Sequence, residues 1–540
     1  MPPSRRPRDL SFTLKASAAL ALAVVADLLF WGHGVGSTLG GFALLLTLVA
    51  TAVHPAARRD AKASWALVAA TVLAIVLAWA PSPLGWLLFW AMLSLAVLLP
   101  RAARFDDAWR WSQRLVAQAA VGLFGPWLDL ARARKAGRTT RTWNWRGLVP
   151  LLALPVVGGA IFLTLFAAAN PVIATALSSV RGPTVSADLF FRSIFWLMVL
   201  TLAWSMLRPR RRRALPVAKI ASPALAEVSV ASVTLSLVVF NALFAVQNGL
   251  DAVILWGGAG PPAGLTLAEY AHRGAYPLIA TALLAGLFVL VMLDPRMKTA
   301  KVPLIRVLVV AWVAQNLFLV ASSILRTVDY VQAYSLTRLR IAALVWMGLV
   351  GLGLVLICWR MLRGKSGAWL INANAAAALL ALTASCVVDL GAVAAGWNVR
   401  HAREVGGHGP KLDVCYLNGL GASALVPLVE LERRSTSPDL TDRVAWVREG
   451  ALNSLMVQQA DWRGWTVRDA LRLERIKAFE RDRPLTHDTS TFERECDGRL
   501  VAGPPPPEPE PAPPPISYDP PPAAPDPSPS TQPLTQTPEH

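Results

Sequence analysis

Apolar stretches long enough to cross a bilayer recur through the first 396 residues, and they restrict this chain more than any other feature. Hydrocarbon about 30 Å thick selects runs of roughly 20 apolar residues, and within it only a helix pairs its own backbone polar groups. The runs fall at 14–31, 38–53, 65–80, 84–99, 148–169, 187–207, 228–256, 274–293, 304–325, 341–359 and 368–396. The third and fourth are short and joined only by Pro81, Ser82 and Pro83, which predicts a tight helical hairpin. The first follows Arg5, Arg6 and Arg8 as a signal peptide would, but no small-residue cleavage site comes after Trp31, so it is expected to stay as a helix.

With 54% apolar and 16% charged residues and a mean hydropathy of +0.45, the chain has too few charges to coat one globule of 540 residues. The expected class is therefore all-α: a polytopic bundle of about eleven spans over 1–396, a small helical segment over 397–500 and a Pro-rich tail over 501–540. The tail, rich in Pro, Ala, Glu and Asp, cannot form a core; it is either a tether toward the cell wall or simply solvated.

The net charge of +18 does not imply nucleic acid, because the cations are distributed by side. The N-terminus and the connections after runs two, four, six, eight and ten hold 30 of the 52 Lys and Arg residues, and the opposite connections hold six. This asymmetry predicts a cytoplasmic N-terminus and an external C-terminus in a bacterial inner membrane. In the basic stretch 101–146, Phe105, Trp109, Val116, Ala119, Leu123 and Trp127 recur at helical spacing. That stretch reads as an interfacial helix on anionic lipid headgroups or as a cytoplasmic helix packed on the bundle. Arg210 to Arg213 read as a topology anchor.

No phosphate loop, dinucleotide Gly pattern, H-E-x-x-H or paired C-x-x-C occurs, so no cofactor or metal is implied. Gly40, Gly41, Gly351 and Gly353 read as close helix contacts. Polar side chains at bilayer depth are expensive and mark candidate sites. Asn241, Asn248 and Asp251 share one helical face in the seventh run; Gln315 and Asn316 lie in the ninth, Asn372, Asn374 and Asp389 in the eleventh, and Asp27 near the outer end of the first. They line a polar cavity or fix helix registry by hydrogen bonds. Asp251 is expected to face protein or water and not lipid. A second candidate is external, with Glu269, His272 and Arg273 in one connection and Asp329 in another; His272 would serve there as acid or base, unless these residues only anchor helix ends at headgroups. Cys415 and Cys496 are the only pair in the external segment, open to a disulfide or to two separate thiols.

The helix containing Phe240 to Gln247, the turn Glu269-Tyr270-Ala271-His272-Arg273-Gly274, the run Tyr334 to Arg340, and Asn398-Val399 followed by Lys411 to Leu417 resemble the bacterial membrane-protein family called domain of unknown function 4173 and its relative numbered 4153. The family usually has Gly where this chain has Ser335, and a second Arg or similar residue near His272. The resemblance implies a multi-pass inner-membrane protein and carries no catalytic residues. Three functions stay open: a transporter or solute- or ion-binding protein using the Asp251 face, a scaffold or sensor in contact with cell-envelope components, and a membrane-embedded enzyme on lipid-linked substrates at the external turns.

Overall fold

The computed structural model describes residues 12–102, 105–126, 129, 187–209, 229–257, 284, 302–486 and 493–501. The runs expected at 148–169 and 274–293, the basic run Arg210 to Arg213 and the Pro-rich tail lie outside the described residues. Apart from one isolated antiparallel bridge, Arg494 to Leu500, every described element is helical. The order is α1 (Phe12–Phe30), α2 (Thr38–Val53), α3 (Ala56–Arg59), α4 (Ala61–Trp79), α5 (Pro83–Leu98), α6 (Ala108–Leu123), α7 (Ala187–Leu207), α8 (Val230–Asp251), α9 (Pro303–Tyr334), α10 (Arg338–Arg363), α11 (Gly367–Val387), α12 (Leu390–His401), α13 (Val414–Gly419), α14 (Leu425–Arg434), α15 (Pro438–Ala460) and α16 (Val467–Asp482).

Local sequence sets the starts of these helices. Asp60, Ser82, Asp107, Thr337, Ser366 and Thr466 each accept a hydrogen bond from a backbone N–H in the first turn of the helix that follows, satisfying donors that have no partner within the helix. Pro83 follows Ser82 at the first position of α5, where a missing N–H costs nothing, so α4 and α5 form the tight hairpin that the sequence implies. Eight of the described helices are long and apolar enough to cross a membrane, and α2 is a shorter apolar one.

Two cores hold the membrane part together. Leu22, Ala26, Phe42, Leu46, Leu77 and Phe89 center the first, among α1, α2, α4, α5 and α7, and α11 adds Cys386 to it. Gly40 lets α2 approach α4 so closely that a Cβ there would lie 2.5 Å from the Ala78 Cβ; Gly41 faces open space. The second core joins α8, α9 and α10 through Leu237, Ile305, Val309, Trp312 and Leu354. Between the two sets, α11 packs on α4, α5 and α10.

The eleventh apolar run is two helices, not one. Extended backbone at Val388 ends α11, and Asp389 caps α12 by accepting from the N–H groups of Gly391 and Ala392. Ala395 and Val399 of α12 belong to a third core with Leu417, Leu428, Leu431, Val444 and Val447. Hydropathy reads through the break because protein buries α12 as fully as lipid would. Within this segment a disulfide joins Cys415 to Cys496 with Cα atoms 5.0 Å apart. The buried pair Arg448 Nε to Glu432 Oε2 at 2.9 Å, with the Thr486 N–H donating to Glu432, holds the chain that leaves α16.

The C-terminal helices cover one end of the bundle. The turn after α15 lies on the α1–α2 connection, where the Ser37 N–H donates to the Trp465 carbonyl at 2.7 Å and the Thr38 hydroxyl to that of Arg463 at 3.0 Å. A Cβ at Gly36 would collide with both of those carbonyls. His33 pairs with Asp461 at 3.0 Å, and the Arg463 backbone N–H, followed by His33, holds the Asp461 carboxyl below the usual range. The α9–α10 connection is clamped at the same end. Asn398 exchanges two hydrogen bonds with the backbone of Leu336, and the Arg338 N–H donates to the Tyr416 hydroxyl at 3.0 Å. Between these ties, Ser335 is held at φ 71° and ψ 162°.

That conformation belongs to glycine, and imposing it on another residue costs about 1–3 kcal/mol. A glycine at this position would remove the cost. Ser335→Gly is therefore expected to raise stability by about 1 kcal/mol or more, seen as a higher thermal midpoint in detergent, while Ser335→Val lowers it; a lower midpoint for the Gly variant would refute the strain.

Candidate functional site

The seventh run carries Asn241, Asn248 and Asp251 at spacings of seven and ten, which places them along one side of α8. In α9, Gln315, Ser322 and Arg326 recur at seven and eleven and likewise share a side. The two polar sides meet. Gln315 Nε2 donates to Asn241 Oδ1 at 2.8 Å, Asn241 Nδ2 to the Leu308 carbonyl at 3.0 Å, and Asn248 Nδ2 to the Gln315 carbonyl at 3.2 Å. Beyond them Arg326 Nη2 bonds Asp251 Oδ1, which also accepts from Gln247 Nε2 at 3.1 Å. Asp251 is 1% exposed, so its carboxylate faces protein. Directly after it the helix widens into one π-turn, Ala252–Trp256.

The pairing advances in the same direction along both helices, from Asn241 with Leu308 and Gln315 to Asp251 with Arg326, so α8 and α9 are parallel. The chain from the end of α8 therefore reaches the start of α9 at the opposite end of the bundle.

Hydrogen bonding in this seam is incomplete. Four buried oxygens that can only accept, Asn248 Oδ1, Asp251 Oδ2, Gln315 Oε1 and Asn316 Oδ1, have no donor among the described residues, and the buried Ser322 hydroxyl has no partner there either. Amide orientation does not explain this, because Asn248, Gln315 and Asn316 each use their N–H₂ group as a donor elsewhere, Asn316 to the Trp312 carbonyl at 2.8 Å. Each such oxygen costs about 1–3 kcal/mol until something donates to it. Water, a solute with hydroxyl or amine groups, or a cation satisfies them. Arg326 neutralises Asp251, so little net negative charge remains to attract a metal ion, and no group of three or more His, Cys, Asp or Glu side chains suited to a metal occurs among the described residues.

The other candidate residues lie apart from this seam. Asp389 meets Arg472 in the break between α11 and α12, where Arg472 also holds Asp469 and Arg468 donates to the Val387 carbonyl at 2.6 Å. Burial, then the neighbouring cations Arg338 and Arg475, push the Arg472 guanidinium down to about 10, so it stays charged at neutral pH. Asp27 of α1 accepts from Arg192 Nε and Trp196 Nε1 of α7, both at 2.9 Å. Asn372 accepts from the first N–H of α6 at 2.8 Å, and Asn374 donates to the Leu370 carbonyl at 3.0 Å. Asp329 is half-buried on α9, one turn beyond Arg326. Glu269, His272 and Arg273 lie outside the described residues, so the external turn is not assembled here.

Sequence reasoning assigned Arg326 to an external connection because the ninth apolar run stops at Leu325. The helix continues nine residues further. The phase that Arg326 shares with Gln315 and Ser322 is the signal that marks it as part of the seam.

The model of the family described as Domain of unknown function (DUF4153) matches residues 66–431, about two thirds of the chain. No curated protein and no solved structure matches.

Removing one member of a buried ion pair leaves an uncompensated charge and costs about 3–5 kcal/mol, whereas replacing both by apolar groups is close to neutral. Arg326→Met is thus expected to lower the thermal midpoint of the detergent-purified protein strongly, and Asp251→Leu with Arg326→Met to restore most of the loss. Additive losses in this double-mutant cycle would mean that the two side chains do not act on each other.

Proposed function

We propose, for a chain that belongs to the family of the domain of unknown function DUF4153, a solute-binding or transporting role in which the α8–α9 seam receives a small donor-bearing polar molecule. The protein is a multi-pass membrane protein, and the family's description assigns it no activity. The observation that carries the reading is the group of buried acceptor oxygens without donors beside a neutralised carboxylate. A seam built only to fix helix registry would satisfy its own hydrogen bonds, as Asn241 and Gln315 do in part. A hydroxyl- or amide-bearing solute supplies several donors at once without adding charge beside Arg326.

The membrane is a bacterial inner membrane, with the N-terminus inside, eleven crossings and the C-terminus outside. Two features support this arrangement. The chain between α6 and α7 begins and ends at opposite ends of the bundle, because α6 packs on the last turn of α7 while the first turn of α7 meets Trp31. The parallel pairing of α8 and α9 requires the same of the chain between them. One crossing in each of these stretches, added to nine described apolar helices, gives the odd number that separates the termini.

A second reading, an envelope scaffold or sensor, is favoured by the ties from Arg468 and Arg472 to the break at Val387 and Asp389, which lock the C-terminal helices onto the membrane part.

Reporter fusions after Gly503 and within 101–146 should report the periplasm and the cytoplasm respectively; a cytoplasmic signal after Gly503 would overturn the odd count. A thermal-shift screen of polyols and primary amides on the detergent-purified protein should yield stabilising solutes whose effect Asn316→Leu abolishes. If no such solute stabilises the protein, or the shift survives Asn316→Leu, the seam is not the binding site and the scaffold reading takes precedence.

A further inference from the structure

A helix resting on a protein in water turns its apolar side inward. In α6 Trp111 turns inward, but a second apolar side faces out. Trp109, Val116 and Leu123, seven residues apart and hence on one side, are 57%, 70% and 56% exposed. Ala119 and Ala120 are exposed beside them, and Phe124 follows at the end of the helix. Two polar side chains turn toward the bundle: Gln118 Nε2 donates to the Ser205 carbonyl at 3.1 Å, and Arg114 lies over the Trp111 ring while pairing with Asp106 at 2.7 Å. The membrane-spanning helices show the same outward apolar surface, with Leu87, Leu235 and Val307 exposed.

This helix lies across the end of the bundle opposite to the C-terminal cap, packed on the last turn of α7 and the first turns of α11. Trp111 shares a small core with Ala57 of α3 and Ala63 of α4, which brings the exposed Arg58, Arg59 and Lys62 near α6, and Arg110 is exposed on the helix itself. Among the described residues the acids of this end are already engaged: Asp60 caps α4, Asp106 and Asp107 lie against Arg110 and Arg114, and Asp129 pairs with Arg208. An apolar stripe bordered by Arg58, Arg59 and Lys62, which no carboxylate pairs among the described residues, matches a leaflet whose headgroups are anionic.

We propose that α6 is embedded at the headgroup level of the leaflet opposite the C-terminal cap, with Trp109, Val116 and Leu123 in lipid and Arg58, Arg59 and Lys62 binding anionic phospholipid. A nitroxide on Val116→Cys, in a full-length chain with Cys358 and Cys386 replaced by Ala and the disulfide kept, tests the depth in nanodiscs. The label is expected to be more accessible to oxygen than to a water-soluble nickel chelate; the reverse order would overturn the embedding. Ala120→Cys on the same side gives the same reading if the first variant does not fold. Phosphatidylglycerol retained by protein extracted from mixed vesicles, measured by native mass spectrometry, tests the headgroup class. Each cation near an anionic surface is worth about a fivefold preference, so Arg58→Gln, Arg59→Gln and Lys62→Gln together should lower the enrichment of phosphatidylglycerol over phosphatidylcholine at least about fivefold. Unchanged enrichment would overturn the anionic preference.

Discussion

Hydrocarbon supplies no hydrogen bonds, and nearly every feature of the membrane part answers to that deficit. It forces the backbone into helices and leaves polar side chains only the spaces between them. Asp27 is met by Arg192 and Trp196, Asp251 by Arg326 and Gln247, and Asn241 by Gln315. Each pair joins two different helices or closes on one, and none relies on solvent. The acceptor oxygens left over between α8 and α9 are conspicuous against this background, because the same protein meets comparable demands elsewhere with its own donors.

The helices form two packed sets, and the C-terminal segment contacts both. It reaches the first set through Ser37, Thr38 and His33, and the second through Leu336 and Arg338. Its first helix, α12, follows directly on α11, the helix that lies between the sets. The strained backbone at Ser335 sits where the α9–α10 connection must pass beneath Asn398 and Tyr416. Geometry at that turn is imposed by the cap, which accounts for a residue that locally prefers another conformation.

Much of this was legible in the sequence where periodicity and charge were enough. The Asn241, Asn248 and Asp251 face follows from spacing alone, the hairpin at Pro81 to Pro83 from turn chemistry, and the all-α class from the apolar runs. The failures have a common cause: hydropathy measures burial and not what does the burying. It cut α9 short at Leu325, because Arg326 looked like an end, although a carboxylate 75 positions earlier compensates it. It fused α11 with α12, because Ala395 and Val399 are as buried in the C-terminal core as they would be in lipid. Asp389 was visible as an anomaly within that run, but its partner Arg472 lies 83 positions away, and no local rule connects them. The apolar stripe of α6 was readable, whereas the side it faces depended on where Trp111 packs.

The disulfide sets a load path. A pull on the chain beyond Val501 enters the folded segment near Cys496, and the covalent bond passes it to Cys415 at the start of α13. The pairs from Arg443 to Asp497 and from Arg494 to Asp442 share the load with the first turns of α15. From α13 the backbone carries it through α12 to α11, while the Tyr416 hydroxyl, bonded by the Arg338 N–H, lies against the start of α10. The helix α16, which carries Arg468 and Arg472, is bypassed by this covalent path. Tension on the tail is thus delivered along the chain to the α11–α12 break, where the grip of Arg468 and Arg472 opposes it.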